Sequence, residues 1–178
     1  MKAGPFSGTR RLGGYSILEL LVAIGIVIAL VGLTIPILET FRKRAKRVQC
    51  ISHMRAIHSG LQAYHSDVGH WPQMDAGKEG DFSEEEFYGF WVEVTKPYGL
   101  SEDAWVCPAD RAIERRRNEE KQKYYGSYVV TQFDDKPATP FRWSQPWAIE
   151  RGNMHGDGAH ILLPDGSVQP ANNPFFGR

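Results

Sequence analysis

Between Leu20 and Leu38 the chain carries no charged residue, and this run of 19 residues, LLVAIGIVIALVGLTIPIL, constrains everything that can follow. A helix of that length spans roughly 28 Å, close to the hydrocarbon thickness of a bilayer. Tyr15 to Glu19 lengthen it comfortably. A cleaved secretory signal has a shorter apolar core of ~7–15 residues, followed by small residues at the cut. Nothing after Leu33 reads as such a cut, so the segment is expected to remain as a transmembrane helix.

Glu19 stands just inside this apolar run. An ionisable group in a membrane helix is costly and normally has a partner and a function. The alternative is an interfacial carboxylate that reaches into the headgroups. Flanking charge does not settle orientation: Lys2, Arg10 and Arg11 precede the run, and Arg42, Lys43, Arg44, Lys46 and Arg47, against Glu39, follow it. Pro36 removes one helical hydrogen bond and is expected to kink the helix, which lipid tolerates where neighbours satisfy the freed carbonyl. Gly25 and Gly32 fall on roughly one face without forming a GxxxG pair.

Beyond the span the helical pattern continues. Phe41, Ala45, Val48, Ile51, Met54, Ile57, Leu61 and Tyr64 recur at spacings of three and four, with Arg42, Lys43, Lys46, Arg47, Arg55 and His58 opposite. Asp67-Val68-Gly69 and Pro72 should end the helix near Ser66, because Gly suits a left-handed cap and Pro cannot continue. The basic cluster Arg42–Arg47 admits two readings, nucleic-acid binding or a juxtamembrane cluster on anionic headgroups. The second is preferred, since no aromatic stacking platform is interleaved with the charges.

The segment Arg10-Arg11-Leu12-Gly13-Gly14-Tyr15-Ser16-Ile17-Leu18-Glu19 resembles the processing site of type IV prepilins and type II secretion pseudopilins. There a basic leader ends in Gly, an aromatic residue follows, and Glu is fifth after the cut; Tyr15 departs from the commoner Phe. The resemblance implies a leader over 1–14, removed by prepilin peptidase between Gly14 and Tyr15, and N-methylation of Tyr15. It implies that Glu19 meets the Tyr15 amine of a neighbouring subunit during assembly, and Pro36 falls where pilins often carry a proline. It also implies a transmembrane helix over 15–38, an amphipathic continuation over 39–66 and an extracytoplasmic domain over 67–178. The fold so implied is α+β, a long N-terminal helix packed on a small antiparallel sheet.

In the soluble part, Tyr64–Pro72 is similar to the stretch that closes the first helix of major pseudopilins. Cys107-Pro108-Ala109-Asp110, and His155 followed by nine residues and then Asp165-Gly166, resemble the C-P-x-D and H-x9-DG elements of a large group of pilin-like proteins. The resemblance implies a structural subunit of a secretion pseudopilus or a type IV pilus-like filament, anchored in the bacterial inner membrane with a periplasmic domain. Its partners would be copies of itself, other pilin-like subunits, prepilin peptidase/methyltransferase, an inner-membrane assembly platform and lipid. Nucleic acid is not expected as a partner, although a DNA-binding minor pilin is a second rival that the basic cluster suggests.

Smaller features fill in the domain. Ser83-Glu84-Glu85-Glu86 is a capping box opening a helix with Phe87, Phe90, Trp91 and Val94 on its apolar face, ended by Pro97. Asp110–Lys123 reads as a charged helix or an exposed loop, and Gln132–Pro146 as a surface connection. Tyr124–Thr131 reads as a strand with Val129 and Val130 inside. Ala159–Leu163 and Ser167–Gln169 should pair around Asp165-Gly166.

Two cysteines alone cannot make a zinc site. Outside the cytoplasm Cys50 and Cys107 either form a disulfide or stay as two buried thiols. His155, Asp157, His160 and Asp165 are of types that suit a divalent ion, and a membrane-tethered metal-binding or hydrolytic domain using the His155–Asp165 cluster is the main rival. The bland alternative is a turn-rich hairpin, and it is preferred. No nucleophile elbow, HExxH or phosphate loop is present, so neither catalysis nor a cofactor is expected.

Overall fold

The computed structural model describes residues 16–74, 82–120, 122–142, 145–156 and 158–171. The chain divides into two units, Met1–Phe41 and Arg42–Arg178. One helix, α1 (Ile17–Val68), begins in the first and ends in the second.

In the first unit α1 is apolar and uncovered. Ile17, Leu18, Leu20, Leu21, Ile28 and Leu33 are each more than half exposed. The helix is long and apolar enough to cross a membrane and fits a single-pass membrane protein. Thr34 turns its hydroxyl onto the Leu30 carbonyl at 2.7 Å, so that polar group is satisfied within the helix, as a lipid environment demands.

In the second unit α1 packs along Cys50, Met54, Ile57 and Leu61, all fully buried. Burying Met54, Ile57 and Leu61 stabilises the fold by ~1.5–3 kcal/mol each. The buried row starts later than the periodicity suggests: Phe41 and Val48 are 60% and 66% exposed. Helical spacing marks a face; it does not say how far the domain reaches along it. The helix ends at Val68, where Gly69 adopts φ +88° and its N–H donates to the His65 carbonyl at 2.9 Å.

The α2 helix (Glu84–Thr95) opens on the expected capping box. Glu86 N–H donates to Ser83 Oγ at 3.2 Å, and Ser83 N–H to Glu86 Oε2 at 3.0 Å. Its buried row is Tyr88, Trp91, Val92 and Thr95, rotated from the expected Phe87, Phe90, Trp91 and Val94. Amphipathic sequences with aromatics on two adjacent faces leave that rotation to tertiary packing, and here the Tyr88 ring wins the interior. Gly126 explains how: a Cβ there would lie 1.9 Å from Tyr88 Cε1, so only glycine lets the ring seat. A 3₁₀ turn over Lys96–Tyr98 follows, closed by Gly99 at φ +82°.

After a second 3₁₀ turn (Glu102–Trp105) the charged stretch is helical, α3 (Arg111–Glu120). Four short strands form an antiparallel meander in chain order, β1 (Tyr128–Val130), β2 (Ala148–Glu150), β3 (His160–Leu162) and β4 (Val168–Pro170). Tyr128 pairs with Glu150, Ala148 with Leu162, and Leu162 with Val168. The period of two sends Tyr128 and Val130 inward and Val129 outward, so Val129 is not the interior residue expected. The architecture is α+β, with the second half of α1 packed on this sheet around an aromatic core of Trp71, Trp91, Trp105, Tyr128 and Trp147.

Burial pushes the Tyr88 phenol up to about 12, and the Tyr128 phenol also well above its ordinary value. Unfolded tyrosine ionises near pH ~10. This part of the stability is therefore full below pH ~10 and is lost as pH rises toward about 12. Alkaline unfolding followed by tryptophan fluorescence is expected to show that fall, and Tyr88→Phe to flatten it by on the order of 2 kcal/mol. An unchanged slope in Tyr88→Phe would mean the phenol is not buried as described.

Candidate functional site

Gly14 and Tyr15 lie outside the described residues. Glu19 occupies the first turn of α1 and is exposed on the isolated chain. It has the acidic sign that a helix N-terminus favours.

The distinctive residues of the soluble part converge on two places. At the first, Cys50 on α1 and Cys107 after the Glu102–Trp105 turn are joined by a disulfide, with Cα atoms 5.1 Å apart. The Cys107 N–H donates to Ser127 Oγ at 2.9 Å, and that hydroxyl donates to Asp110 Oδ2 at 2.9 Å. Asp110 Oδ1 accepts from the Ala112 and Ile113 N–H groups, capping α3. The Cys-Pro-Ala-Asp element thus places a cross-link and a helix cap three residues apart, with Ser127, just before β1, linking them.

Against the disulfide lies a buried polar cluster. The side chains of Glu150, His155 and His160 are 0%, 2% and 2% exposed. Glu150 ends β2 on its inward face, opposite Tyr128. Its Oε2 accepts from the His160 N–H at 2.9 Å and lies 2.8 Å from His160 Nδ1. Its Oε1 lies 3.3 Å from His155 Nε2, which is 3.6 Å from Cys107 Sγ. His155 Nδ1 and His160 Nε2 meet no hydrogen-bond partner among the described residues. A buried carboxylate is costly unless it is paired and hydrogen-bonded, and two imidazoles and a backbone N–H meet that demand.

The second place is the β3–β4 turn. Gly166 has φ +79°, and Asp165 Oδ1 accepts from the Ser167 N–H at 2.9 Å. His58 of α1 seals this turn from below. Its Nε2 is 2.9 Å from the Pro164 carbonyl oxygen, and its ring stacks on Trp147 at 4.7 Å. The His155 and Asp165-Gly166 ends of the motif therefore serve different places, the disulfide and the His58 latch. Asp165 turns back on its own loop and does not join the group formed by Cys50, Cys107, Glu150 and His155. Asp157 lies outside the described residues.

Glu150 and His58 are the residues that sequence reasoning missed. The signal for Glu150 was the alternation Ala148-Ile149-Glu150, which turns the carboxylate inward beside two nearby histidines. For His58 the sequence holds no such signal, because a histidine opposite an apolar stripe gives no sign of a partner 106 residues away. Comparison of the chain with protein-family models, curated proteins and solved structures finds no match.

Proposed function

We propose that the chain is a structural subunit of a pilin-like filament, either a type II secretion pseudopilus or a type IV pilus-like fibre. The observation that carries this reading is the first part of α1. It is an uncovered apolar helix with one carboxylate, Glu19, in its opening turn, directly after Arg10-Arg11-Leu12-Gly13-Gly14-Tyr15. An apolar surface of this extent needs lipid or other helices to cover it. A carboxylate inside that surface needs a cation, and the freed Tyr15 amine of an adjacent subunit would be one. Such a pair sets register between subunits, the best-attested use of buried polar groups. Contacts of this head-to-tail kind need not close into a ring and so can build an open helical filament.

In this reading the subunit waits in the bacterial inner membrane with its C-terminal domain in the periplasm. The soluble unit is a scaffold, and the polar cluster and the disulfide stabilise it.

The test is the intact mass of the protein extracted from membranes of a host that carries its own prepilin peptidase. The expected product starts at Tyr15 and bears one added methyl. A full-length chain, or one cut beyond Leu33, would overturn the reading and leave Glu19 an interfacial carboxylate. Gly14→Val is expected to abolish the cut while leaving membrane insertion intact.

A further inference from the structure

We propose that, once its disulfide is reduced, the chain binds one zinc-type divalent ion through Cys50, Cys107, His155 and Glu150. One Sγ, Nε2 or carboxylate oxygen from each of these residues lies within 4.8 Å of the others. The donor set of two sulfurs, one imidazole and one carboxylate is of the kind that zinc takes in four-coordinate sites. The sulfurs argue against magnesium and calcium, which want oxygen ligands.

The geometry goes further than proximity. With metal–sulfur bonds of about 2.3 Å and metal–nitrogen or metal–oxygen bonds of about 2.0–2.1 Å, a tetrahedral site has S···N edges of about 3.6 Å and N···O edges of about 3.3 Å. Cys107 Sγ to His155 Nε2 is 3.6 Å, and His155 Nε2 to Glu150 Oε1 is 3.3 Å. Two edges of the tetrahedron are already in place. The sulfur–sulfur edge would be about 3.8 Å, far beyond any covalent bond, so metal can enter only after reduction.

Glu150 is also prepared for the task. Its Oε2 is taken by His160 Nδ1 and the His160 N–H. Oε1 is left facing His155 and the sulfurs, as a single-oxygen ligand held by a fixed partner. Partners of this kind orient metal ligands and contribute strongly to affinity. His155 stands in a loop where Arg151, Asn153 and Gly156 are exposed, so the site lies directly beneath the surface.

The chemistry balances simply. A dithiol or phosphine supplies two electrons, two protons complete the two thiols, and binding of the divalent ion releases those two protons. In the loaded form the metal replaces the disulfide as the tie between Cys50 and Cys107. The domain is then stapled whether the chain meets an oxidant first or a metal first.

The experiment uses the full chain in detergent, reduced with a phosphine and stripped of metal by a chelator. It is titrated with Zn2+ against a chromogenic chelator, and separately with Co2+. Expected are one Zn2+ per reduced chain, none per oxidised chain, and Co2+ bands of tetrahedral thiolate coordination. His155→Ala and Glu150→Gln, first checked in the oxidised state for native tryptophan fluorescence, should each weaken binding at least tenfold and alter the Co2+ spectrum. Zn2+ should also raise the melting temperature of the reduced wild-type chain, which tests the site without any variant. A reduced wild-type chain that takes up no metal overturns the proposal. So does a Co2+ spectrum unchanged by both substitutions, which would mean adventitious binding to two thiols.

Discussion

Replacing both Cys50 and Cys107 by alanine is expected to cost about 4 kcal/mol of stability. The bond joins positions 57 residues apart in the chain. Closing a loop of that size in the unfolded chain removes about 14 cal/mol/K of entropy, or about 4 kcal/mol at 25 °C. Most domains have only ~5–15 kcal/mol in total, so the loss is a large fraction. For the Arg42–Arg178 unit it corresponds to a fall in melting temperature of roughly 10–15 °C. All five tryptophans follow residue 70, so fluorescence of the full chain in detergent reports on this unit alone. A fall of less than ~3 °C would mean that the buried cluster and aromatic core hold the unit without the staple.

Trp147→Ala is expected to cost about 3–5 kcal/mol, the range for removing a fully buried tryptophan. Its ring joins three parts of the domain. It stacks on His58 at 4.7 Å, meets Trp71 edge-on at 4.8 Å and touches Phe141 at 5.6 Å. Its Nε1–H donates to the Pro140 carbonyl, which ties the connection after β1 to the core. Its backbone directly precedes β2, and its N–H donates to the Leu162 carbonyl at 2.8 Å. These neighbours belong to different elements and cannot collapse together into the vacated space. Trp147→Phe keeps a ring there and should cost less than half as much. Denaturant unfolding of the full chain measures both. A cost below ~1 kcal/mol for the alanine variant would show that the site relaxes freely and that His58 does not depend on it.

The long helix was the most legible part of the sequence. An uncharged run, a 3/4 periodicity and a closing Asp-Val-Gly are each enforced by local chemistry, and Gly69 carries the positive φ that the reading required. The same holds for the capping box at Ser83 and for the hairpin around Asp165-Gly166. The facing of short elements was less legible. Strands of three residues are too short for a period of two to register, so Val129 and Val130 looked alike although only one is inside. The rotation of α2 was hidden because Phe87, Tyr88, Phe90 and Trp91 offer aromatics on adjoining faces, and the choice rests with Gly126.

The candidate site was legible in pieces. Cys50, Cys107 and His155 stood out by type, but their meeting depends on contacts across 57 and 48 residues that no local pattern encodes. Glu150 was faintly marked, by a three-residue alternation alone, for a deeper reason. A carboxylate is ordinarily a mark of the surface, and only its neighbours, two imidazoles and a backbone N–H, make the interior tolerable.

The position of the cross-link has a mechanical consequence. Cys50 is the first fully buried apolar residue of α1 among the described side chains, and Cys107 lies just past the second 3₁₀ turn after α2, Glu102–Trp105. A tension applied along the chain from its two ends meets a covalent shortcut at Cys50. Everything between the two sulfurs is taken out of the load path while the bond is intact. That 57-residue separation would add roughly 190–200 Å of contour if it could pay out. Oxidised, the domain can lengthen only through the segments outside the loop, so the packed half of α1 and all of α2 are spared the pull.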